Sequence, residues 1–531
     1  MKISQSKYKP ILPAQTLVSL STTVQNYIQY LELTVEQQQS ELQELQAQGR
    51  GQKNVIQHQQ VQIKNQQSHL EQLQAQVKQL QAQVEQLQAQ VKQLQARLSK
   101  NSSNSSKPPS SDGPKKQPKS QRGKTGKKPG GQKGHVGKGL KPVENPDQTL
   151  THGPDTCHEC GFNLTEQEGH CVEKRQVFDI PLPKVEVTEH QLLEKTCPHC
   201  HIVSRGAFPT TVTGFVQYGA RVKALISYLS HYQFVPLERM SQFFQDVFDL
   251  PVSAGTCAKT EKKLFEQLAV FEPALKAALL EEAVLHFDET GTRCEKKSHW
   301  LHVASTSQAT LYTLHAKRGK LGMDAMGILP KYKGIAIHDE WSSYFGYKQI
   351  LHGLCNAHLL RELTFIEEVE KEPWAKEMKA LLIQAKEAVA KHKGSGSLPE
   401  KLRTKLEASY HQIIQAGLTY HAGLQALPKA KRGKNKQRPG KNLLDRLLAR
   451  KESVLRFMHD FRVSFTNNQA EQDIRMMKVK QKISGCFRTL LGGAYFCRIR
   501  SYISTARKQG WNILEALTNA IRGAPNLLTS A

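Results

Sequence analysis

The chain has 531 residues, more than one ordinary domain holds, and 74 Lys+Arg against 47 Asp+Glu leave a net charge of +27. An excess of that size favours a polyanionic partner, either nucleic acid or an anionic membrane surface. No run of about 18 apolar residues is present to span a bilayer, and residues 1–13 lack the apolar stretch of a secretory signal. The expectation is a cytoplasmic protein with no membrane partner. Four of its ten Cys stand in two Cys-x-x-Cys pairs, a pattern of metal binding in a reducing compartment more than of a disulfide framework.

In chain order, residues 17–33 read as a short helix. Residues 56–98 form a heptad array in which Ile56, Ile63, Leu70, Val77, Val84, Val91 and Leu98 share one position, and Leu73, Leu80, Leu87 and Leu94 the other. β-Branched residues at a and Leu at d predict a parallel two-stranded coiled coil, weakened at its N-terminal half by Gln59 and Gln66. Residues 99–149 read as a disordered linker; from 100 to 141 it carries twelve Lys/Arg and one acid, Asp112. It is either a solubilising spacer or a contact to a nucleic-acid backbone. Residues 150–205 hold Cys157, Cys160, Cys197 and Cys200, with 36 residues between the pairs. Two thiolate knuckles joined by short strands, one of them predicted at 185–189, make a zinc ribbon with a structural Zn2+. His158, His199, His201 and Cys171 are possible substitute ligands.

Residues 206–280 read as helical. A helix over 237–244, a turn at Asp249-Leu250-Pro251 and an N-cap at Ser253 have the rhythm of a helix-turn-helix, or of an ordinary helical hairpin. From 281 the pattern alternates strand and helix, with strands predicted at 284–287, 300–304, 310–314, 335–337 and 350–354 and a helix from about Asn356. Residues 366–460 read as a helical insertion, broken at 429–441 by seven Lys/Arg and no acid, and residues 491–531 as a C-terminal helical segment.

Two of these strand-like runs end in acids, Asp288 and Asp339, and Glu471 falls in a helical, basic stretch. Three such carboxylates can hold a pair of hard divalent cations, and such a pair can clamp the attacking and leaving oxygens of a phosphodiester. Glu289 and Glu340, each next to one of the Asp residues, are rival ligands expected in the turns after the strands. Asn468, Glu471, Arg475 and Lys478 recur at i, i+3, i+7 and i+10, which sets them on one helix face.

The chain resembles bacterial transposases of the insertion-sequence 66 family. The resemblance rests on residues 101–113 with their Asn-Ser-Ser-Lys-Pro-Pro-Ser-Ser-Asp signature, on Pro129-Gly130-Gly131-Gln132-Lys133-Gly134-His135 and on the Cys pairs. It continues through Tyr218-Gly219, Pro236-Leu237-Glu238-Arg239, His286-Phe287-Asp288-Glu289-Thr290, and residues 355–363. It ends with Asn467-Asn468-Gln469-Ala470-Glu471 and Ser484-Gly485-Cys486-Phe487-Arg488. The resemblance implies an α/β RNase H-like catalytic domain over 281–490 with a DDE triad of Asp288, Asp339 and Glu471. It implies phosphoryl transfer with two Mg2+, Mn2+ being a possible substitute. Arg475 and Lys478 would then position the DNA backbone, with Asn468 beside them, and His358 would contact the scissile phosphate or simply pack. Expected partners are terminal inverted repeats, target DNA, a second copy through the coiled coil over 1–98, and accessory proteins of the same element; the location would be nucleoid-associated. A nuclease that cleaves without joining strands, and a non-enzymatic DNA-binding regulator, are the alternatives.

Overall fold

The computed structural model describes residues 12–105, 134, 139–425, 427 and 437–528. Most of the basic tract of the predicted linker and of the basic loop at 429–441 lies outside the described residues. The chain divides into two compact units, Met1–Ser99 and Lys100–Ala531.

The first unit is a short helix, α1 (Ala14–Val18), and one long helix, α2 (Thr22–Leu98), of 77 residues. Gln, Leu, Ala, Glu and Lys dominate α2, all strong helix formers, and it contains no Pro. At the standard rise it is about 115 Å long. The separate helix expected over 17–33 is therefore absent. A turn at Ser19–Ser21 ends α1, and nothing interrupts the second helix from Thr22 onward. The heptad side chains lie open on the single chain, with Leu73 at 43% and Leu80 at 58% exposure.

The second unit begins with the two Cys knuckles and a small antiparallel pair, β1 (Glu194–Thr196) and β2 (Val203–Arg205). The strand expected at 185–189 does not form. Its alternating residues are mostly exposed and pair with no described strand, so periodicity there has no ladder to support it. Four helices follow: α3 (Ala220–His231), α4 (Leu237–Phe248), α5 (Ala254–Gln267) and α6 (Phe271–Glu281). α4 ends on Asp249 in the left-handed conformation, and the Ser253 hydroxyl caps α5 by accepting from Thr256 N at 3.1 Å.

A five-stranded sheet comes next. It contains β3 (Val284–Cys294), β4 (Lys297–Ser305), β5 (Thr310–His315), then α7 (Lys320–Met326), β6 (Ile335–His338) and β7 (Leu351–Leu354). Its order is β5-β4-β3-β6-β7, with β3, β4 and β5 antiparallel and β3, β6 and β7 parallel. Helices α8 (Asn356–Phe365), α9 (Pro373–Lys391), α10 (Glu400–Ala422), α11 (Pro439–Ala449) and α12 (Lys451–His459) make up the helical stretch after β7. Then come α13 (Asn468–Ser484), α14 (Leu490–Lys508) and α15 (Ile513–Ile521).

The sheet is covered on both faces. Leu285 and Phe287 of β3 point into a core with Leu264, Phe271 and Leu275 from α5 and α6 and Ile499, Tyr502 and Leu517 from α14 and α15. Leu301 and Val303 of β4 face the other way, against Ala470, Ile474 and Met477 of α13. Successive strand residues alternate sides, so Asp288, next to Phe287, lies on the α13 side.

Candidate active site

Strand pairing brings the first two acids near each other. The parallel β3–β6 pairing ends at His286 opposite Ile337; Asp288 lies two residues further along β3, Asp339 just past the end of β6, and the two carboxylates feel each other's charge. α13 then brings the third. Its apolar face buries Ala470, Ile474 and Met477 under the sheet, which leaves Glu471 in its first turn beside Cys355, the residue after β7. The helix start is pinned by Asn467, which is 2% exposed. His286 Nδ1 donates to Asn467 Oδ1 at 2.9 Å, and Asn467 Nδ2 donates to Phe287 O at 2.7 Å.

Asp288 lies inside β3, not at its end. The strand runs on to Cys294 because β4 pairs with it from His286 through Cys294. Burial holds the Asp288 carboxyl well above its ordinary range, and the neighbouring acids Glu289, Asp339 and Glu471 push it further, against one opposing hydrogen bond from Glu289 N. Asp339 is also raised, by burial, while Trp341 N donating to Oδ1 at 3.0 Å and the Arg318 guanidinium, 3.8 Å from Oδ2, hold it down. The three carboxylates thus act on one local field, and the strongest charges around Asp288 are all negative. Positive charge is what such an imbalance favours.

The two rival acids are already engaged. Glu289 sits within β3, not in a turn, and faces the opposite side from Asp288. Its Oε1 accepts from Arg318 Nε at 3.0 Å and Nη2 at 2.7 Å, and its Oε2 from Tyr344 OH at 2.6 Å. Arg318 in turn lies over the rings of Trp300 and Trp341, 5.0 and 4.0 Å from their centroids. Glu340 follows β6 as expected, but Arg446 and Arg450 of the helical stretch hold it, Arg450 Nη1 donating to Oε1 at 2.6 Å.

Glu471 has a second set of neighbours. Burial and the Glu471 carboxylate push the Cys355 thiol up to about 12, so it is protonated and donates to Glu471 Oε1 at 3.5 Å. His358 Nδ1 is 3.8 Å from the same oxygen. Burial drives that imidazole down to about 4, so the contact is not an ion pair at neutral pH. Among the described residues, Cys355, His358 and Glu471 are the one group of three or more His, Cys, Asp or Glu whose donor atoms all lie within 4.8 Å of one another. The three acids are set wider than that, and the four knuckle sulfurs are not gathered into one set.

Each knuckle is nevertheless shaped for a thiolate. Cys157 N donates to Phe162 O and Gly161 N to Cys157 O, at 2.8 and 2.9 Å; Cys197 N donates to Ile202 O and His201 N to Cys197 O, both at 2.9 Å. The Cys157 and Cys197 thiols are lowered, first by the backbone N–H groups of Cys160 and Cys200, next by those of Glu159 and His199. Gly161 takes φ 71° without penalty, whereas His201 takes φ 59° in the same position, at a cost of about 1 kcal/mol.

Residues 216–495, more than half of the chain, match the family model described as Transposase IS66 family. The chain belongs to this family. A model described as the zinc-finger binding domain of transposase IS66 matches residues 154–201, and a model of a family of unknown function matches residues 57–141. No curated protein matches the chain. The last of these models runs without a break across the boundary expected near residue 98 between coiled coil and basic linker. In this IS66-family chain, Asn468, Arg475 and Lys478 are exposed on α13, and Lys478 Nζ reaches back to donate to Gly291 O of β3 at 2.7 Å. Sequence reasoning missed Asn467, Cys355, Arg318 and Tyr344 as parts of the site. Asn467 stands next to Asn468, and the Cys-x-x-His spacing of Cys355 and His358 is a visible signal in the sequence. Arg318 and Tyr344 offered none, because tertiary packing alone brings them to Glu289.

Proposed function

We propose that this chain is a DDE transposase that cleaves the ends of an insertion sequence and joins them to target DNA. Asp288, Asp339 and Glu471 would hold a pair of Mg2+ ions, or Mn2+ in their place. Bound there, the ions would supply the positive charge that stabilises the attacking and leaving oxygens of the phosphodiester. The observation that carries the reading is Asp288: a half-buried carboxylate on β3 whose charged neighbours are all acids, among them Asp339, just past the end of the neighbouring strand, and Glu471. A pure DNA-binding regulator has no reason to keep such a cluster, which repels phosphate.

The chain's own residues divide the remaining work. Asn467 fixes the start of α13 and with it Glu471. Arg475 and the exposed amide of Asn468 face solvent on the same helix, where a DNA backbone would lie. The sheet order, three antiparallel strands followed by two parallel ones, supports an RNase H-like fold. α4 and α5 support a helix-turn-helix reader, because α5 exposes Lys259, Lys262 and Lys263. The matched zinc-finger segment supports one structural Zn2+ held by Cys157, Cys160, Cys197 and Cys200, which requires the two knuckles to close on each other. The open heptad seam of α2 supports a homodimer, and accessory proteins of the same element remain part of this proposal.

The test is a paired assay on a DNA fragment ending in the element's terminal repeat. Mg2+-dependent cleavage followed by strand transfer is expected. Cleavage without joined product reduces the activity to that of a nuclease, and binding without cleavage by metal-loaded protein overturns the enzymatic reading.

A further inference from the structure

We propose that Cys355, His358 and Glu471 form a second divalent-ion site, one that takes Zn2+ or a similar thiophilic ion and not Mg2+. The donors are one sulfur, one imidazole nitrogen and one carboxylate oxygen, the set that selects zinc and its neighbours over hard cations. The local fold prepares it. Cys355 is the residue before α8 and His358 lies in its first turn, so the helix start sets both side chains against the first turn of α13.

The distances fit an ion of that kind. Zinc bonded at about 2.3 Å to sulfur and about 2.0 Å to oxygen or nitrogen spans a tetrahedral S···O edge of about 3.5 Å and an N···O edge of about 3.3 Å. Cys355 Sγ is 3.5 Å and His358 Nδ1 3.8 Å from Glu471 Oε1, and all three atoms lie within 4.8 Å of one another. His358 Nδ1 is buried and has no hydrogen-bond partner, an arrangement that is costly to keep unless something else uses the lone pair. When the ion binds, the Cys355 thiol gives its proton to water as the sulfur–metal bond forms. Neutral His358 contributes its free lone pair and Glu471 its charge, and water fills the fourth position.

The consequence rests on the triad reading above. Glu471 belongs to both sets, so a zinc ion held by Cys355 and His358 takes this carboxylate away from the Mg2+ cluster. Zinc in excess of what the knuckles hold would then inhibit cleavage, and Mg2+ or Mn2+ would compete with it.

The test is a Co2+ titration of full-length protein whose knuckles are already filled with zinc. A thiolate-to-cobalt absorption band is expected in the wild type and in Asp288→Asn, and absent in Cys355→Ser. His358→Gln should weaken Co2+ at least about tenfold. A band that survives Cys355→Ser unchanged overturns the site. Should Cys355→Ser fail to fold, the His358→Gln titration decides, and unaltered Co2+ affinity there is equally fatal. Asp288→Asn separates the two readings: cleavage by this variant removes the triad, while its cobalt band reports on the second site alone. Zinc inhibition, measured relative to each variant's own zinc-free rate, should be lost in His358→Gln.

Discussion

Asp288 carries a stability cost that its own removal reveals. Its folded-state pKa is raised above the unfolded value, first by burial. Above that raised pKa the carboxylate is charged, which the fold disfavours relative to the unfolded chain, so metal-free stability rises as pH falls from the folded pKa towards the unfolded one. Asp288→Asn should therefore abolish cleavage and raise the melting temperature of metal-free protein at pH 8, with a smaller gain below the folded pKa and with Mn2+ present. A lower melting temperature in the variant at pH 8 would show that the carboxylate is paired, contrary to this account. Asp339 and Glu340 separate in the same way. Asp339→Ala should lose cleavage and keep the fold. Glu340→Ala strands two guanidiniums, so it should cost about 1–3 kcal/mol in chemical denaturation and retain Mn2+ binding. That Asp288 and Asp339 lie in or just after strands and Glu471 on a helix was legible in the sequence, because strand and helix periodicity marked those elements. That Glu289 and Glu340 are occupied was not legible, because Arg318, Tyr344, Arg446 and Arg450 reach them only through tertiary packing.

At the level of elements, the start of α13 decides where Glu471 stands. Asn467→Ala removes a buried hydrogen bond to Phe287 O and the partner of His286, a loss of about 1–3 kcal/mol. Because Glu471 moves with it, Mn2+ affinity should fall about 10- to 100-fold. Asn468→Ala, one residue on and exposed, should change stability by no more than about 0.5 kcal/mol. Equal effects at the two positions, read by calorimetry, would mean that the helix start is not held by Asn467. Strand positions were readable, but their lengths were not. β3 looked complete at 287, yet backbone pairing with β4 carries it to Cys294 through Asp, Glu, Thr and Gly, residues with mixed strand preference. The segment at 185–189 erred the other way, since alternation without a neighbouring strand builds nothing.

For the whole molecule, the division of labour is between a long helix and a catalytic body. Removing residues 1–98 should leave a mostly monomeric protein with an intact triad, impaired in pairing two DNA ends and less impaired in binding one. Light scattering on an isolated 50–100 peptide checks the dimer, and a monomer at tens of micromolar removes it. Stripping zinc, or Cys197→Ser, should release about one tightly held ion per chain and expose residues 150–205 to proteolysis, because the small knuckle region has little core of its own. Elemental analysis of fresh protein without zinc would end that assignment. DNA affinity should fall steeply between low and moderate salt, with the slope reduced when the basic tract at 100–141 is neutralised.

The order of the chain also sets a clock. Glu471 is encoded 183 residues after Asp288, so at a synthesis rate of about 5–20 residues per second the ribosome needs roughly ten seconds or more to add the last acid. Throughout that interval the growing chain already displays its long helix, its knuckles and its basic tract. On the proposed function, it would be able to hold DNA before the third acid of the triad exists. A message cut short anywhere in the helical stretch before α13 would yield a product that occupies element ends without cutting them, and so acts as a competitor of the full-length enzyme made from the same gene.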